Sequence, residues 1–443
     1  MTARRPFRSY PAYKPSGVEW LGEIPEHWRL KPAKRLFDNV VEKGVGRELP
    51  FIDLENIESN SGALVKGFEW AEKAADDYAT FKPGDVLFGK LRPYLAKYFL
   101  VDREGCCPTE LLIFRAHENT CRNEYLYRLI QSRFFISLAV ATSYGTKMPR
   151  TSWEKFSQQY LWVPPPDEQL AIAAFLDRET AKIDALVAKK ERLVELLEEN
   201  RTALMSRAVT RGLDPAAPLK PSGVPWLGDI PEHWRVLPLK RLVAIKITDG
   251  PHETPEILSE GIPFVSAEAI KDSRIDFNAK RGYISEDQHI AYCRKCYPRR
   301  DDVFLCKSGA TTGKTAIVDT DDEFSVWSPL AQIRADSEKA LPRFIFIALQ
   351  AGYAQDQIRQ GWSAGTQPNI AMSEIEKLLV IVPSIREQRD ILEVLDRETA
   401  KIDALVAKVR EGIEKLKEYR TALISAAVTG KIDVRGEGVE VPA

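Results

Sequence analysis

Several classes of protein are excluded by what this sequence lacks. No stretch of about 18 apolar residues occurs in it, so no membrane-spanning helix is predicted. Its basic start is not followed by an apolar segment, so we expect no secretory signal and a cytoplasmic protein. It has only six cysteines, which fit reduced thiols in a cytosol. A net charge of −1 does not itself indicate nucleic acid, so local clusters of basic residues must decide.

Patterns for metal binding and for catalysis are missing too. Cys293 and Cys296 have the C-x-x-C spacing, with His289 and Cys306 nearby, but no second pair stands at the interval that a zinc site needs. We therefore predict no metal site and interpret these cysteines as incidental thiols. No Ser-His-Asp, HExxH, Rossmann-glycine or Asn/Asp-Pro-Pro-Tyr pattern is convincing, so the chain is predicted to be non-catalytic.

Residues 308–315 resemble a phosphate-binding P-loop but depart from it in two ways. Ser308 stands where the pattern needs its first glycine. Residues 316–318 are predicted to form a strand, whereas a P-loop is followed by a helix. We expect no nucleotide binding. An enzyme that uses the Lys314 loop remains an alternative, which nucleotide-dependent thermal stabilisation would support.

A long internal repeat dominates the sequence. Residues 177–189 return without a change at 396–408, a period of 219 residues. That period is too long for a solenoid and fits two domain-sized halves. A second repeat opens each half, because residues 14–29 are matched by 220–235. We predict that each opener is an irregular segment docked by its tryptophan rings, and that His27 and His233 are structural.

Between opener and repeat the two halves diverge in sequence but share an order of elements. Apolar–polar alternations predict strands at 51–57 and 264–270. Further strands are predicted at 86–88, 111–114 and 160–163 in the first half and at 303–305, 331–333 and 378–382 in the second. Helical spacing of apolar residues marks 123–140 and 342–357. Each half is therefore predicted to be a mixed α/β domain.

A helix of about 45 residues, roughly 65 Å long, is predicted to close each half. The first follows Pro166, the second begins at a capping box of Ser384 and Glu387, and they stop at Gly212 and Gly430. Their apolar residues recur in the coiled-coil pattern, with Arg201 and Arg420 at one seam position. The predicted seams are Leu176, Ile183, Val187, Val194, Leu197, Leu204 and Ala208, and Leu395, Ile402, Val406, Val409, Ile413, Leu416, Leu423 and Ala427.

One apolar stripe on so long a helix requires a partner. We predict that the two helices pair with each other, antiparallel and about a pseudo-two-fold axis; packing of each helix on its own domain is the alternative. The predicted fold class is thus α/β (α+β), with two tandem mixed domains separated by an intramolecular antiparallel coiled coil. The predicted boundaries are 1–165 and 214–383 for the domains, and 166–213 and 384–435 for the helices.

Basic residues cluster in the diverged regions, with tyrosines among them. Any one cluster fits a solvated face, but their position in two variable domains favours contact with phosphates and base edges. The clusters are Lys90/Arg92/Lys97, Lys147/Arg150, Lys280/Arg281 and Arg294/Lys295/Arg299/Arg300, and the tyrosines are Tyr94, Tyr98, Tyr283 and Tyr297.

Together these features resemble the specificity subunits of type I restriction-modification systems, over essentially the whole chain. The resemblance rests on the Gly-x-Ile-Pro-x-x-Trp openers, on residues 84–94 and 309–314, on the Glu-Gln pairs at 168–169 and 387–388, and on the repeated helices. It implies two target recognition domains that each read half of a split site in double-stranded DNA. It also implies a coiled-coil spacer on which two methyltransferase subunits dock, with motor-nuclease subunits joining the assembly. No cofactor is implied on this chain, since S-adenosylmethionine, ATP and Mg²⁺ are expected on the partner subunits.

Two sets of site residues follow. Arg and Lys suit guanine and Gln suits adenine, so the predicted DNA-binding residues are Lys90, Arg92, Tyr94, Lys97, Lys147 and Arg150 in the first domain, and Lys280, Arg281, Lys307, Thr311, Thr312, Lys314 and Gln367 in the second. The repeat supplies the coiled-coil and docking residues, of which the charged ones are predicted to form an exposed docking face: Arg178, Glu179, Lys182, Ile183 and Val187, with their copies Arg397, Glu398, Lys401, Ile402 and Val406.

A bivalent scaffold is the alternative from another functional class. It would use the coiled coil to hold two protein-binding domains and would not bind DNA. Salt-dependent binding to duplex DNA separates the two, because neutralising phosphates releases counterions and gives a steep dependence on salt.

Overall fold

A computed structural model describes residues 7–18, 22–43, 49–70, 78–363 and 367–436. The chain forms two compact units, Met1–Glu191 with Arg410–Ala443, and Arg192–Val409. Each unit therefore contains one α/β domain and one half of each long helix. None of the helices in these ranges is long and apolar enough to cross a membrane. The boundaries predicted for the separate domains and helices remain predictions.

The first unit combines short strands with short helices and the start of a long one. Its strands are β1 (Tyr13–Pro15), β2 (Glu23–Pro25), β3 (Arg29–Pro32), β4 (Phe37–Asn39), β5 (Pro50–Phe51), β6 (Glu69–Trp70), β7 (Ala79–Phe81), β8 (Val86–Gly89), β9 (Tyr98–Leu100), β10 (Gly105–Cys107), β11 (Leu111–Ala116), β12 (Ser143–Tyr144), β13 (Arg150–Thr151) and β14 (Tyr160–Val163). Its helices are α1 (Asn123–Ile130), α2 (Arg133–Ala141), α3 (Trp153–Phe156) and the first part of α4 (Pro166–Arg211).

The second unit repeats this plan. Its strands are β15 (Leu219–Pro221), β16 (Asp229–Pro231), β17 (Arg235–Pro238), β18 (Thr248–Asp249), β19 (Ile262–Val265), β20 (Ile270–Lys271), β21 (Arg274–Ile275), β22 (Gly282–Ile284), β23 (Val303–Cys306), β24 (Thr315–Ile317), β25 (Ser325–Val326), β26 (Leu330–Ile333) and β27 (Leu379–Val382). Its helices are α5 (Glu286–Cys293), α6 (Pro342–Gln350), α7 (Gly352–Gln360), α8 (Met372–Lys377) and the first part of α9 (Ile385–Val428).

An antiparallel four-stranded sheet lies at the centre of each domain. The strand order is β4-β11-β8-β9 in the first unit and β18-β26-β23-β24 in the second. Val86 pairs with Phe114, and Val303 pairs with Ile333, so the registers align the two sheets residue by residue. Alternate residues of the strands face one side of the sheet and form a core there. In the first unit this core contains the fully buried Phe88 and Phe114. The mixed α/β class is thereby confirmed.

Predictions for four segments were wrong in part. The strands predicted at 51–57 and 264–270 end at Phe51 and Val265. A short 3-10 turn follows each of them, at Leu54–Asn56 and at Ala267–Ala269. The helix predicted at 123–140 is two helices, because Ser132 caps the second by accepting from the Phe135 amide. The helix predicted at 342–357 is likewise divided between α6 and α7.

The openers are hairpins rather than irregular segments. Strand β1 pairs with β2, and β15 pairs with β16. Trp28 and Trp234 are fully buried, as predicted, but Trp226 is 46% exposed and does not dock the segment. Trp20 lies outside the described residues.

A glutamate, buried in the first unit and half-buried in the second, ties each opener to the start of a long helix. Glu168 accepts hydrogen bonds from Trp28 Nε1 at 2.9 Å and from the Tyr10 hydroxyl at 2.5 Å, and it contacts His27 Nε2 at 2.7 Å. Glu387 accepts from Trp234 Nε1 at 2.9 Å. The Ser384 hydroxyl does accept from the Glu387 amide, but the Glu387 carboxylate contacts the opener rather than completing a capping box.

Both long helices end as predicted, because Gly212 and Gly430 follow them with φ of +74° and +72°. A side chain on Gly430 would meet Pro25 at 2.5 Å, so glycine also permits the close approach of the opener. The helices hold 46 and 44 residues.

Antiparallel pairing of the helices is confirmed inside each unit. In the first unit the buried Ile183 of α4 shares a core with Leu423 and Ala427 near the end of α9. In the second unit Ala208 near the end of α4 shares a core with Leu395 near the start of α9. Every predicted seam residue is buried or half-buried.

The two seam arginines are explained by the repeated sequence. Arg420 donates to Asp184 at 2.8 Å in the first unit, and Arg201 donates to Asp403 at 3.0 Å in the second. Asp184 and Asp403 occupy the same position of the thirteen-residue repeat. The repeat therefore supplies matching ion pairs across the helix pair, one in each unit.

Candidate nucleic-acid interface

A loop follows strand β8 in the first unit and strand β23 in the second, and it carries many of the predicted DNA-binding residues. It spans residues 90–97 between β8 and β9, and 307–314 between β23 and β24. The sheet registers align Lys90 with Lys307 and Lys97 with Lys314. Strand β24 follows the second loop directly, so the strand predicted there is confirmed and the P-loop arrangement of strand, loop and helix is not present at these residues.

A second loop, near residues 144–151 and 363–370, is bonded to the first in the same way in both units. The amide of Arg92 donates to Pro149 O at 2.7 Å, and the amide of Gly309 donates to Pro368 O at 3.0 Å. The amide of Thr151 donates to Lys90 O, and the amide of Ile370 donates to Lys307 O. We call these two loops together the loop pair of each unit.

Two positions in the first loop have left-handed backbone in both units. In the second unit they are Gly309 and Gly313, with φ of +90° and +93°. In the first unit the aligned residues are Arg92 and Ala96, with φ of +51° and +47°. A left-handed conformation costs a non-glycine residue roughly 1–2 kcal/mol. Because such strain clusters at functional sites, Arg92 is a strong candidate for contact with a ligand.

The loop pair of the first unit brings together most of the residues predicted for it. Arg92, Tyr94 and Lys147 are exposed, with Tyr94 53% accessible. Lys90 and Arg150 are half-buried, and Arg150 lies 3.4 Å from Glu110. The two bonded loops together therefore carry four cations and an aromatic ring.

Lys97 is turned away from this surface. Its ammonium donates to Leu54 O at 2.8 Å, and its side chain is half-buried. A lysine that satisfies a backbone carbonyl is placed for structure, so its predicted DNA contact is not favoured by the geometry.

The loop pair of the second unit carries a different set. Lys314 and Gln367 are exposed, and Thr311 and Thr312 are half-buried. The Thr312 hydroxyl donates to Gly309 O at 2.7 Å and lies 3.0 Å from Pro368 O, so it fastens the two loops together. Residues 364–366 of the second loop lie outside the described residues.

Three other basic residues of the second domain are held by neighbours. Arg281 donates to Glu268 at 2.6 Å and stacks on Trp327, with its guanidinium carbon 4.1 Å from the ring centre. Lys280 lies 4.8 Å from the centre of the Tyr283 ring. Lys307 Nζ lies 2.8 Å from Asp249, and its side chain is only 13% exposed, so it is not the exposed lysine that the sequence predicted.

The repeated helix segments present a face that sequence reasoning assigned only in part. Leu186 and Leu405, at the same repeat position, are 44% and 45% exposed. Ile183 and Val406 are buried and belong to the helix seam, with Val187 and Ile402 half-buried beside them. Sequence reasoning missed these exposed leucines because they do not belong to the seam pattern. The signal that could have identified them is an apolar residue that occurs in both copies of the repeat at a position outside the seam.

The charged part of the predicted docking face needs one correction. Glu179 is buried, not exposed. Its carboxylate accepts from Arg178 at 3.1 Å and from Lys182 at 2.9 Å. The copy, Glu398, is half-buried and accepts from Arg397 and Lys401 at 3.1 and 2.9 Å. Lys182, Arg397 and Lys401 are exposed.

Cys296 and Cys306 of the second domain are buried free cysteines. Burial raises the pKa of Cys296 to about 12 and that of Cys306 to about 11. Within the described residues no group of three or more His, Cys, Asp or Glu side chains is placed to hold a metal ion.

A substitution at Arg92 tests whether the strain in its loop serves binding. We expect Arg92→Gly to leave thermal stability unchanged or to raise it, because glycine adopts the left-handed backbone without the cost of about 1–2 kcal/mol. We expect the same change to weaken DNA binding about tenfold or more, since a good arginine–base contact is worth about 1–3 kcal/mol. Thermal melts and DNA titrations of the same preparation measure both.

Asn60 is the matched control, because it too is exposed with a left-handed φ of +64°. Asn60→Gly is expected to change stability in the same direction and to leave DNA binding unchanged. A drop in stability with unchanged binding in Arg92→Gly would show that Arg92 is structural.

Comparison with known proteins agrees with this geometry. The sequence profile described as "Type I restriction modification DNA specificity domain" matches residues 22–196 and again residues 231–415. Together the two matches cover well over half of the chain and fall once in each half. The chain belongs to the type I restriction-modification specificity subunit family. It is therefore a non-catalytic subunit with two DNA-specificity domains.

Individual relatives are distant but extend over much of their length. The EcoBI specificity subunit of Escherichia coli is 22% identical over 71% of this chain and 69% of its own length. The MjaIX specificity subunit of Methanocaldococcus jannaschii is 23% identical over 94% of this chain and 95% of its own.

Two solved structures share the fold. One, from work on complex assembly and conformational transition of the type I R-M system, has a TM-score of 0.64 at 21% identity and covers 91% of this chain and 98% of its own. The HsdS subunit from Thermoanaerobacter tengcongensis has a TM-score of 0.51 at 19% identity and covers 92% and 98%. The predicted fold and family are confirmed.

Proposed function

We propose that this specificity subunit binds an asymmetric, bipartite site in double-stranded DNA and that each loop pair reads one half of it. The observation that carries the proposal is the difference between the loop pairs. Their backbone hydrogen bonds are the same, but one presents Arg92 and Tyr94 where the other has Gly309 and Thr311. A shared frame with different side chains suits two different half-sites.

The charges on the loop pairs support contact with nucleic acid. Arg92, Lys147 and Lys314 are exposed cations, although the whole chain has a net charge of −1. Phosphate contacts would position each domain, and base contacts from Arg92 and Gln367 would specify sequence. Each loop pair thus places at least one exposed cation beside its variable side chains, as contact with phosphates requires.

The helix pair is proposed to set the separation of the two half-sites. The 46 residues of α4 correspond to about 69 Å of helix. Half-sites on one face of a duplex recur about every 34–36 Å. The helix length would then fix how many base pairs separate the half-sites, and the subunit would not contact the edges of those intervening bases.

Two methyltransferase subunits are the proposed partners of the repeated helix segments. Identical partners need identical surfaces, and residues 177–189 and 396–408 are identical. Leu186 and Leu405 present the apolar centre of such a surface, and the exposed Lys182 and Lys401 flank it. Motor-nuclease subunits would join this complex. S-adenosylmethionine, ATP and Mg²⁺ would bind those partners rather than this chain, and the cytoplasm is where we expect the complex.

The experiment that tests DNA recognition is a titration of duplex DNA at several salt concentrations, with the subunit in complex with its methyltransferase. If six to ten phosphates are contacted, affinity should fall by about 10³ to 10⁵ between 50 and 200 mM salt. Binding that is absent, or that does not respond to salt, would favour a protein scaffold that does not recognise DNA.

A further inference from the structure

A buried carboxylate lies beneath the loop pair of the second unit. Asp249 is 5% exposed, and three cationic or titratable groups converge on it. Lys295 Nζ lies 2.5 Å from its Oδ1, Lys307 Nζ lies 2.8 Å from its Oδ2, and His252 Nε2 lies 3.3 Å from Oδ2. Of these, Lys307 begins the first loop of the loop pair.

The fold builds this arrangement from strand registers. Asp249 pairs with Ala331, and Ala331 pairs with Leu305, two residues before Lys307. Gly250 then brings the backbone so close to Val326 that an added Cβ would lie 1.9 Å from its carbonyl oxygen. Lys295 also donates to Gly250 O at 3.1 Å. The strand pairing of Asp249 and the close approach of Gly250 therefore fix the backbone that carries the carboxylate.

The carboxylate is ionised in this setting. Burial acts to raise the pKa of Asp249, but hydrogen bonds from Lys295 and Lys307 outweigh it and hold the pKa below its ordinary value. A buried charge of this kind is stable only when it is paired and hydrogen-bonded. One negative charge thus offsets part of the positive charge of the two lysines.

The first unit has no such charge at the aligned position. Asp249 pairs with Ala331, which aligns with Leu112 of the first unit. The register of Asn39 with Phe114, continued by two residues, places Val41 opposite Leu112 and so aligns Val41 with Asp249. Val41 is 71% exposed and apolar. Lys90, the counterpart of Lys307, has no side-chain hydrogen bond or ion pair among the described residues. The two loop pairs therefore present their first lysine in different ways.

We propose that Asp249 is a positioning residue that sets the specificity of the second half-site reader. Asp249 holds Lys307 and Lys295 in fixed positions by its ion pairs with them. Lysines held in this way are less available for contacts with phosphates, which do not depend on sequence. The second domain then discriminates by the geometry of its polar groups, whereas the first relies more on free cations. The proposal rests on the DNA recognition proposed above.

Asp249→Asn tests this in the complex with methyltransferase subunits. The cognate site is taken from the positions of methylated adenines in the host genome, and three duplexes are compared: cognate, first half scrambled and second half scrambled. We expect discrimination against the scrambled second half to fall at least tenfold, with discrimination against the scrambled first half unchanged. Released lysines should also steepen the salt dependence, by about 0.9 in the logarithmic slope for each new phosphate contact.

Two further variants separate positioning from folding. Asp302→Asn removes another buried carboxylate of the same unit, which binds Arg334 at 2.7 Å, and should lower stability without changing discrimination. Lys307→Met should lose second-half discrimination as Asp249→Asn does, but without a steeper salt slope.

The proposal is overturned if Asp249→Asn discriminates as the parent complex does, or if it behaves as Asp302→Asn and merely loses stability. It is also overturned if both half-sites lose discrimination equally. A parent complex that binds no DNA would instead contradict the proposed function itself.

Discussion

Changing Leu186 and Leu405 together to Asp is expected to release the methyltransferase subunits while the specificity subunit stays folded. Both leucines are nearly half exposed, so a carboxylate there remains solvated in the free chain. In the complex the same carboxylate would be buried without a partner, which costs several kcal/mol beyond the lost burial of about 1.5–3 kcal/mol for each leucine. Affinity at each site should fall by about 100-fold or more.

Co-purification with tagged methyltransferase, together with a thermal melt of the specificity subunit, measures this result. The matched control is the change of the seam residues Ile183, Val187, Ile402 and Val406 to Asp. Those changes should lower the melting temperature by about 10 °C or more, because they place charges inside the helix pair. They should abolish co-purification as well.

The pair of variants is needed because loss of binding in the seam variant alone would not separate docking from unfolding. Leucine variants that retain the methyltransferase would place docking on another surface. Leucine variants that unfold would show that these residues belong to the seam.

The duplicated plan of the molecule could be predicted from sequence because its signals are local. Periodic apolar residues marked both helices, and Gly212 and Gly430 marked their ends. The arginines in the seam were visible as exceptions, but their partners, Asp184 and Asp403, became clear only once the helices were paired.

The features that sequence reasoning missed depend on contacts between distant residues. Asp249 and Lys307 are 58 positions apart, and no periodicity links them. Glu168 lies in the first turn of α4, and nothing in the sequence links its carboxylate to Trp28 of the opener 140 residues earlier. A local signal did exist for the left-handed loop, because aligning Gly309 and Gly313 with Arg92 and Ala96 would have indicated positive φ in the first half.

Exchange of the first loop pair for that of another family member is expected to change one half-site completely and leave the other untouched. An exchange of residues 30–145, which the extent of the diverged region favours, would separate the two loops, because Arg92 bonds to Pro149 and Lys90 to Thr151. A better segment is 33–159. It starts and ends beside the pairing of β3 with β14, where the amide of Ala33 donates to Gln159 O at 2.8 Å.

The exchange leaves the opener, both long helices and the second unit's loop pair intact. Its expected effect is large, since each mismatched base pair costs about 1–3 kcal/mol and a half-site contains several. The exchanged complex should therefore lose its former site almost entirely. A control exchange of residues 239–378 should alter the other half-site by the same reasoning, since these residues lie between β17 and β27.

Selection of binding sites from a random duplex library tests the central claim most directly. The parent complex should select two short, different half-sites at a constant separation. The 33–159 exchange should replace one of them and retain both the other half-site and the separation. If one exchange altered both half-sites, or if the parent selected a single continuous site, the assignment of one half-site to each unit would be contradicted.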